Sequence, residues 1–178
     1  HPFGPLPWVA YDWTSMEFDA MEVYNGGAGF DGTDGMAVEA WEEGLADGFS
    51  WIPVGASDCH RWGTEPPGTL LDAPLGWPRT ELGMQGEETP IDSLMAGRTM
   101  LGDPGTELRF WAEHGGDVAG PGGEAELPAV LHVAAMAEAE DMILQVRRIG
   151  EGTVAEAPLE SGARQELVLE LGSGGAGL

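Results

Sequence analysis

The first hundred residues alternate between strand-like and helix-like spacing of their apolar positions. Ala20-Met21-Glu22-Val23-Tyr24 is an apolar stretch that ends at Asn25-Gly26-Gly27, which predicts a strand followed by turn chemistry. Residues 36–47 place Ala37, Val38, Trp41 and Leu45 at helical spacing, with Gly48 as the stop. The intervening Asp31-Gly32-Thr33-Asp34-Gly35 lacks the alternate oxygen ligands and closing Glu of a calcium loop, so it is expected to be an ordinary polar loop. Trp51 to Ser57 is a short apolar run that predicts a buried strand. A strand, a helix of a dozen residues and a second strand make a βαβ unit, and hence a parallel pair. Thr89 and Pro90 supply an N-cap and a first helical residue, and Gly97 closes that helix. Residues 61–88, rich in Gly and Pro, are expected to form one long loop.

Beyond residue 103 the period changes. Residues 107–113 set Leu108, Phe110 and Ala112 against Arg109, Trp111 and Glu113. Residues 129–136 and 141–149 are further apolar runs, Gly150-Glu151-Gly152 is a turn leading into 153–155, and 165–171 alternates through Leu167, Leu169 and Leu171. Five short strands separated by Gly and Pro turns predict a small β-sandwich, and the Gly-rich 172–177 reads as a linker or frayed end. The expected division is therefore residues 1–103, with βα elements, and residues 104–178, rich in β-strand.

Composition narrows the function more than the fold. The chain has 178 residues, 42% of them hydrophobic, with seven Trp, which supports a packed core. Its 31 acids face seven bases, all Arg, for a net charge of −24. Contacts to phosphate backbones need a cationic surface, so nucleic-acid binding is not expected. No apolar run approaches the length of about 18 residues that a membrane span requires. The single cysteine, Cys59, excludes an internal disulfide. The chain opens on His1 with neither an initiator methionine nor a signal-like segment, and it is expected to be cut from a longer protein.

Candidate chemistry centres on Asp58-Cys59-His60, which follows directly on the 51–57 strand. In extended chain, residues two apart share a face, so Asp58 and His60 are expected to point together and Cys59 away. A carboxylate and an imidazole presented together suit a borderline divalent metal such as Zn, Mn or Fe. Such triplets also arise without function. Arg79 is a candidate for holding a substrate oxyanion or carboxylate, with an ion pair in so acidic a chain an equal reading, and Arg61, directly after His60, is a substrate-binding candidate at the rim of the pocket. His114, beside Gly115-Gly116, reads as a loop residue. His132 reads as a hydrogen-bonded residue within a strand.

Three ordered segments, His1-Pro2-Phe3-Gly4, Asp19-Ala20-Met21-Glu22-Val23-Tyr24-Asn25-Gly26 and Val54-Gly55-Ala56-Ser57-Asp58-Cys59-His60, resemble the closing motifs of the PHP (polymerase and histidinol phosphatase) superfamily. Gly76-Trp77-Pro78-Arg79-Thr80 and Ala96-Gly97-Arg98-Thr99 are similar to the branch that includes carbaryl hydrolase-type proteins. The resemblance covers residues 1–103. It implies an α/β fold, the C-terminal part of a distorted (β/α)7 barrel, followed here by the β-sandwich-like region.

It also implies a metal-dependent hydrolase acting on a small-molecule phosphate ester or other ester, with two or three divalent ions in the intact parent. Carried over residue by residue, His1, Asp58 and His60 match metal ligands, and Asp58 is the catalytic candidate because it also orients the attacking water. Glu22 and Asn25 are expected to shape the mouth of the site by hydrogen bonding. The family's opening ligands have no counterpart in this chain, so the fragment alone is expected to be a poor catalyst. Two other readings stay open: a non-catalytic β-rich binding or adhesion module whose acids hold structural calcium, and a degenerate PHP domain.

Overall fold

The computed structural model describes residues 2–3, 17–26, 29–60 and 74–172. The chain divides into two compact units, one comprising His1–Met95 with Thr99–Pro104 and the other Ala96–Arg98 with Gly105–Leu178.

The first unit is organised around strand β1 (Ala20–Asn25), helix α1 (Gly32–Ala46) and strand β2 (Ile52–Ala56). β1 and β2 are parallel, with Ala20 opposite Ile52 and Asn25 opposite Ala56, and the register shifts between Glu22 and Tyr24. That bulge lets Val23 and Tyr24, adjacent in sequence, both be buried. Met21, Val23, Ala37 and Trp51 form the core, with Phe3, Phe18, Val38, Trp41 and Leu101 packed on it. Gly44 of α1 is a packing requirement, because a β-carbon there would overlap the Trp51 ring. The indole of Trp41 donates to the Trp51 carbonyl at 2.7 Å, and Trp51 stacks with Phe18 and Phe49.

Helix α1 starts four residues before the apolar spacing begins, because the supposed polar loop is its cap. The Asp31 side chain accepts from Thr33 N and Asp34 N, at 2.6 and 3.3 Å, while Asp34 Oδ2 accepts from Asp31 N at 2.9 Å. This reciprocal box satisfies donors that the first helical turn leaves open. Gly32 and Gly35 within it hide the helix from a reading by propensity.

The remainder of this unit comprises β3 (Arg79–Leu82), α2 (Pro90–Met95) and β4 (Thr99–Gly102). β3 and β4 pair antiparallel, so a strand lies within the stretch expected to be loop. Helix α2 is capped by Thr89, which accepts from Asp92 N and whose own N donates to Asp92 Oδ2.

In the second unit, β5 (Thr106–His114), β6 (Asp117–Ala119), β7 (Ala129–Ala137) and β10 (Arg164–Leu171) form an antiparallel sheet in the order β10-β7-β5-β6. β8 (Met142–Arg148) and β9 (Gly152–Leu159) form a separate hairpin. Alternation along β7 buries Leu131, Val133, Ala135 and Ala137 on one face, where they share a core with Ala112, Leu171, and the hairpin's Leu144 and Leu159. His114 is the last residue of β5 rather than a loop residue. Gly115 and Gly116 hold φ of 59° and 100°, the two-residue turn with both central φ positive that returns the chain into β6.

The (β/α) barrel expected from the resemblance is not present. Among the described residues there are two helices and a single parallel pair, and the other sheets, of four, two and two strands, are antiparallel. One parallel pair cannot close on itself, and β3 and β4 run antiparallel to each other instead of extending it. No helix among these residues is long and apolar enough to cross a membrane.

Asp34 is 2% exposed and also accepts from Asn25 N at 2.9 Å, so its carboxylate joins the end of β1 to the start of α1. Asp34→Ala is expected to lower stability by about 2–3 kcal/mol, the sum of a lost cap and a buried amide left unpaired. Chemical denaturation measures the loss, and hydrogen exchange should show the Asn25 and Asp31 amides losing protection first.

Candidate functional site

The parallel pair ends at one place in the fold, and Asp58, His60, Glu22 and Asn25 belong to the segments that end there. β2 stops at Ala56, opposite Asn25, so the chain leaving β2 passes the end of β1. Gly26 is buried at this crossing, and a β-carbon on it would overlap the Ser57 carbonyl. Directly after Ser57, Asp58 takes a left-handed backbone conformation with φ of 45°.

That kink changes why Asp58 and His60 meet. Strand alternation no longer applies beyond Ala56, yet His60 Nε2 lies 3.0 Å from Asp58 Oδ1. The two side chains, 50% and 55% exposed for Asp58 and His60, are accessible and joined to each other. Cys59 between them is half-buried and free.

Next to this pair, the end of β1 is organised by carboxylates. Asn25 Nδ2 donates to Glu22 Oε2 at 3.1 Å, and its main-chain N donates to Asp34. Glu22 and Asn25 are thus hydrogen-bonded to each other, with no barrel mouth for them to shape among the described residues. Burial raises the Asp34 pKa, opposed by the amides of Asn25 and Asp31. Burial also raises Tyr24, with Asp103 and Asp34 adding to it. The Thr33 hydroxyl and amide lower Asp31, which is well hydrogen-bonded as an anion.

The other sequence candidates are placed as follows. His1 and Arg61 lie outside the described residues. Arg79, on β3, donates from Nε to Glu81 Oε1 at 2.8 Å, so its guanidinium is engaged by a carboxylate two residues on. His132 stacks flat on Trp111, with centroids 5.0 Å apart, and its Nε2 is 3.8 Å from Glu113. His114 donates from Nδ1 to the Pro128 carbonyl at 2.7 Å.

Among the described residues no group of three or more His, Cys, Asp or Glu side chains is placed to hold a metal ion. Of the expected trio, Asp58 and His60 come together, and His1 lies outside the described residues. The donor chemistry of that pair nevertheless fits a shared cation. Two ligand atoms each about 2.1 Å from a tetrahedral zinc lie about 3.4 Å from each other, so the 3.0 Å observed is the spacing of a hydrogen bond, and a shared zinc requires the pair to open by a few tenths of an ångström. Asp34, expected only as part of a polar loop, and Thr80, expected only as part of the 76–80 segment, both hold main-chain groups at this end of the fold. The Thr80 hydroxyl accepts from Gly55 N and donates to Gly55 O, both at 2.9 Å. Only the Asp-x-x-Asp spacing of a capping box could have pointed to Asp34, and no local signal marks Thr80.

No protein-family model, curated protein or solved structure matches the chain.

The raised Asp34 pKa gives a signed pH dependence. An acid whose folded-state pKa is raised contributes proton-linked stability that is complete below its unfolded value and lost as pH rises through the folded one. The stability advantage of the native chain over Asp34→Asn should therefore shrink over the pH range that runs upward from the ordinary carboxylate value of about 4. Urea titrations of both proteins across that range measure it, and an advantage that grows with pH contradicts the assignment.

Proposed function

We propose that the first unit contributes part of the site of a metal-dependent hydrolase of the PHP type, with Asp58 and His60 as two ligands of one divalent cation. The observation that carries this reading is their 3.0 Å approach at the carboxyl end of a parallel strand, the end at which α/β folds collect ligands. When bound, a Zn, Mn or Fe ion supplies Lewis acidity and a lowered water pKa next to an ester or phosphoester. The chain's own contribution is to present the carboxylate and the imidazole together and keep both accessible. With its imidazole Nε2 on the ion, His60 leaves Nδ1 for a hydrogen-bond partner, the arrangement that fixes a ligating histidine.

Electrostatics supports a cation rather than a bare anion site. With a net charge of −24, the field of the chain repels a phosphate ester and attracts divalent ions. An ion at Asp58 and His60 reverses the sign locally and gives an anionic substrate somewhere to bind. Two protein ligands leave most coordination positions to water or to further side chains, so binding by these two alone is weak and turnover by this chain alone is negligible.

The expected outcome is that Asp58→Ala and His60→Ala each reduce zinc or manganese uptake in equilibrium dialysis by about tenfold or more. His132→Ala, on the second unit, should leave uptake unchanged. In a longer protein carrying this chain, the same two substitutions should remove hydrolysis of a p-nitrophenyl ester or phosphate. Full uptake and full activity in both variants would contradict the proposal.

A further inference from the structure

The exit of β2 is held from both sides, and one of the two holds is a single hydroxyl. On the β1 side, Gly26 lets the end of β1 pass close to the Ser57 carbonyl. On the other side, β2 has no strand partner among the described residues, since β3 and β4 form a sheet of their own. A residue in a strand directs its own N–H and C=O to the same edge. Gly55 is buried, and both its main-chain groups meet Thr80 Oγ1 of β3 at 2.9 Å. One side chain thus substitutes for a missing strand at the position three residues before Asp58.

Gly55 itself has little freedom to adjust. A β-carbon there would sit 3.2 Å from the Tyr24 carbonyl and 3.6 Å from Leu101 Cδ2. Its backbone is therefore packed between β1 and β4, and its height along β2 is set by the hydroxyl that satisfies it. From Gly55 the chain runs through Ala56 and Ser57 to the left-handed Asp58, so an error at Gly55 propagates to the Asp58 carboxylate and the His60 ring.

We infer that Thr80 is a positioning residue for the Asp58–His60 pair: its hydroxyl, bonded to both main-chain groups of Gly55, fixes the β2 exit so that the two side chains converge on one cation. This role rests on the metal-site reading above. It assigns Thr80 no contact with metal or substrate.

The test uses the 178-residue chain, with zinc chloride as the probe and the imidazole resonances of His60 as the readout. In the native chain, zinc should shift the His60 Nε2 resonance saturably. Thr80→Ser keeps the hydroxyl and should bind like the native chain. Thr80→Val keeps the shape, removes the hydroxyl, and should weaken the zinc response by about tenfold, the scale on which groups supporting metal ligands act. Because coupling between sites is reciprocal, a second measurement needs no variant. Saturating zinc should slow hydrogen exchange at the Gly55 amide of the native chain, while amides of the second unit such as Leu131 stay unchanged. A His60 response that Thr80→Val leaves at native strength, or Gly55 exchange unaltered at zinc saturation, overturns the role of Thr80 alone. Absence of any zinc response at His60 in the native chain overturns the metal-site reading, and the role of Thr80 with it.

Discussion

The carboxylate of Asp34 accepts hydrogen bonds from the backbone amides of Asn25 and Asp31, which belong to the end of β1 and the cap of α1. A parallel strand pair has no tight hairpin to hold it; its two strands are related only through the crossover helix. Asp34 ties that helix to the first strand at the end where the candidate site lies, from a position only 2% exposed. Burial of the carboxylate works against its charged form, and the two amides offset part of that cost. At the other end of α1, Gly44 and Trp41 seat the helix against Trp51, immediately before β2. The crossover is thus fixed at both ends, and the end of β2 has a defined place beside the end of β1.

The chemistry follows from that placement. Gly26 allows close approach on one side and Thr80 satisfies Gly55 on the other, so the chain emerges as a kinked segment carrying Asp58 and His60. The pair stays about half exposed, which distinguishes it from the buried Asp34 a short distance back along the chain. One carboxylate is enclosed to hold the fold, and the other is presented to solvent beside an imidazole. In a chain this acidic, what such a pair attracts most readily is a cation. The second unit builds its own core from the β7 face and the β8–β9 hairpin, and its histidines are engaged by Trp111 and Pro128.

How much of this is legible in the sequence varies with the physical origin of each feature. β1, β2 and the cap of α2 follow from local apolar spacing and from Thr89-Pro90, and the alternation at 165–171 marks β10 for the same reason. The start of α1 is hidden because it depends on a reciprocal hydrogen-bond box between two aspartates set among glycines, which lowers every local helix propensity. β3 and β6 are four and three residues long, too short for a period to show. The barrel inferred by resemblance fails at the level of topology, since among the described residues strand pairing beyond β1 and β2 is antiparallel and no spacing rule in one sequence fixes it. Asp58 and His60 were identifiable by residue type and position after a strand. Their convergence, however, comes from the left-handed turn at Asp58 and not from strand alternation. Thr80 was invisible as a contributor because it acts on Gly55, 25 residues away.

Asp58 and His60 are proposed to hold one divalent cation between them. Anomalous diffraction from crystals of this chain soaked in zinc tests it most directly, because it locates the ion without reference to activity. A zinc peak is expected within about 2.0–2.2 Å of both Asp58 Oδ1 and His60 Nε2, with their mutual hydrogen bond replaced by bonds to the ion. Zinc found elsewhere on the chain, with the Asp58–His60 hydrogen bond intact and no density between them, would contradict it.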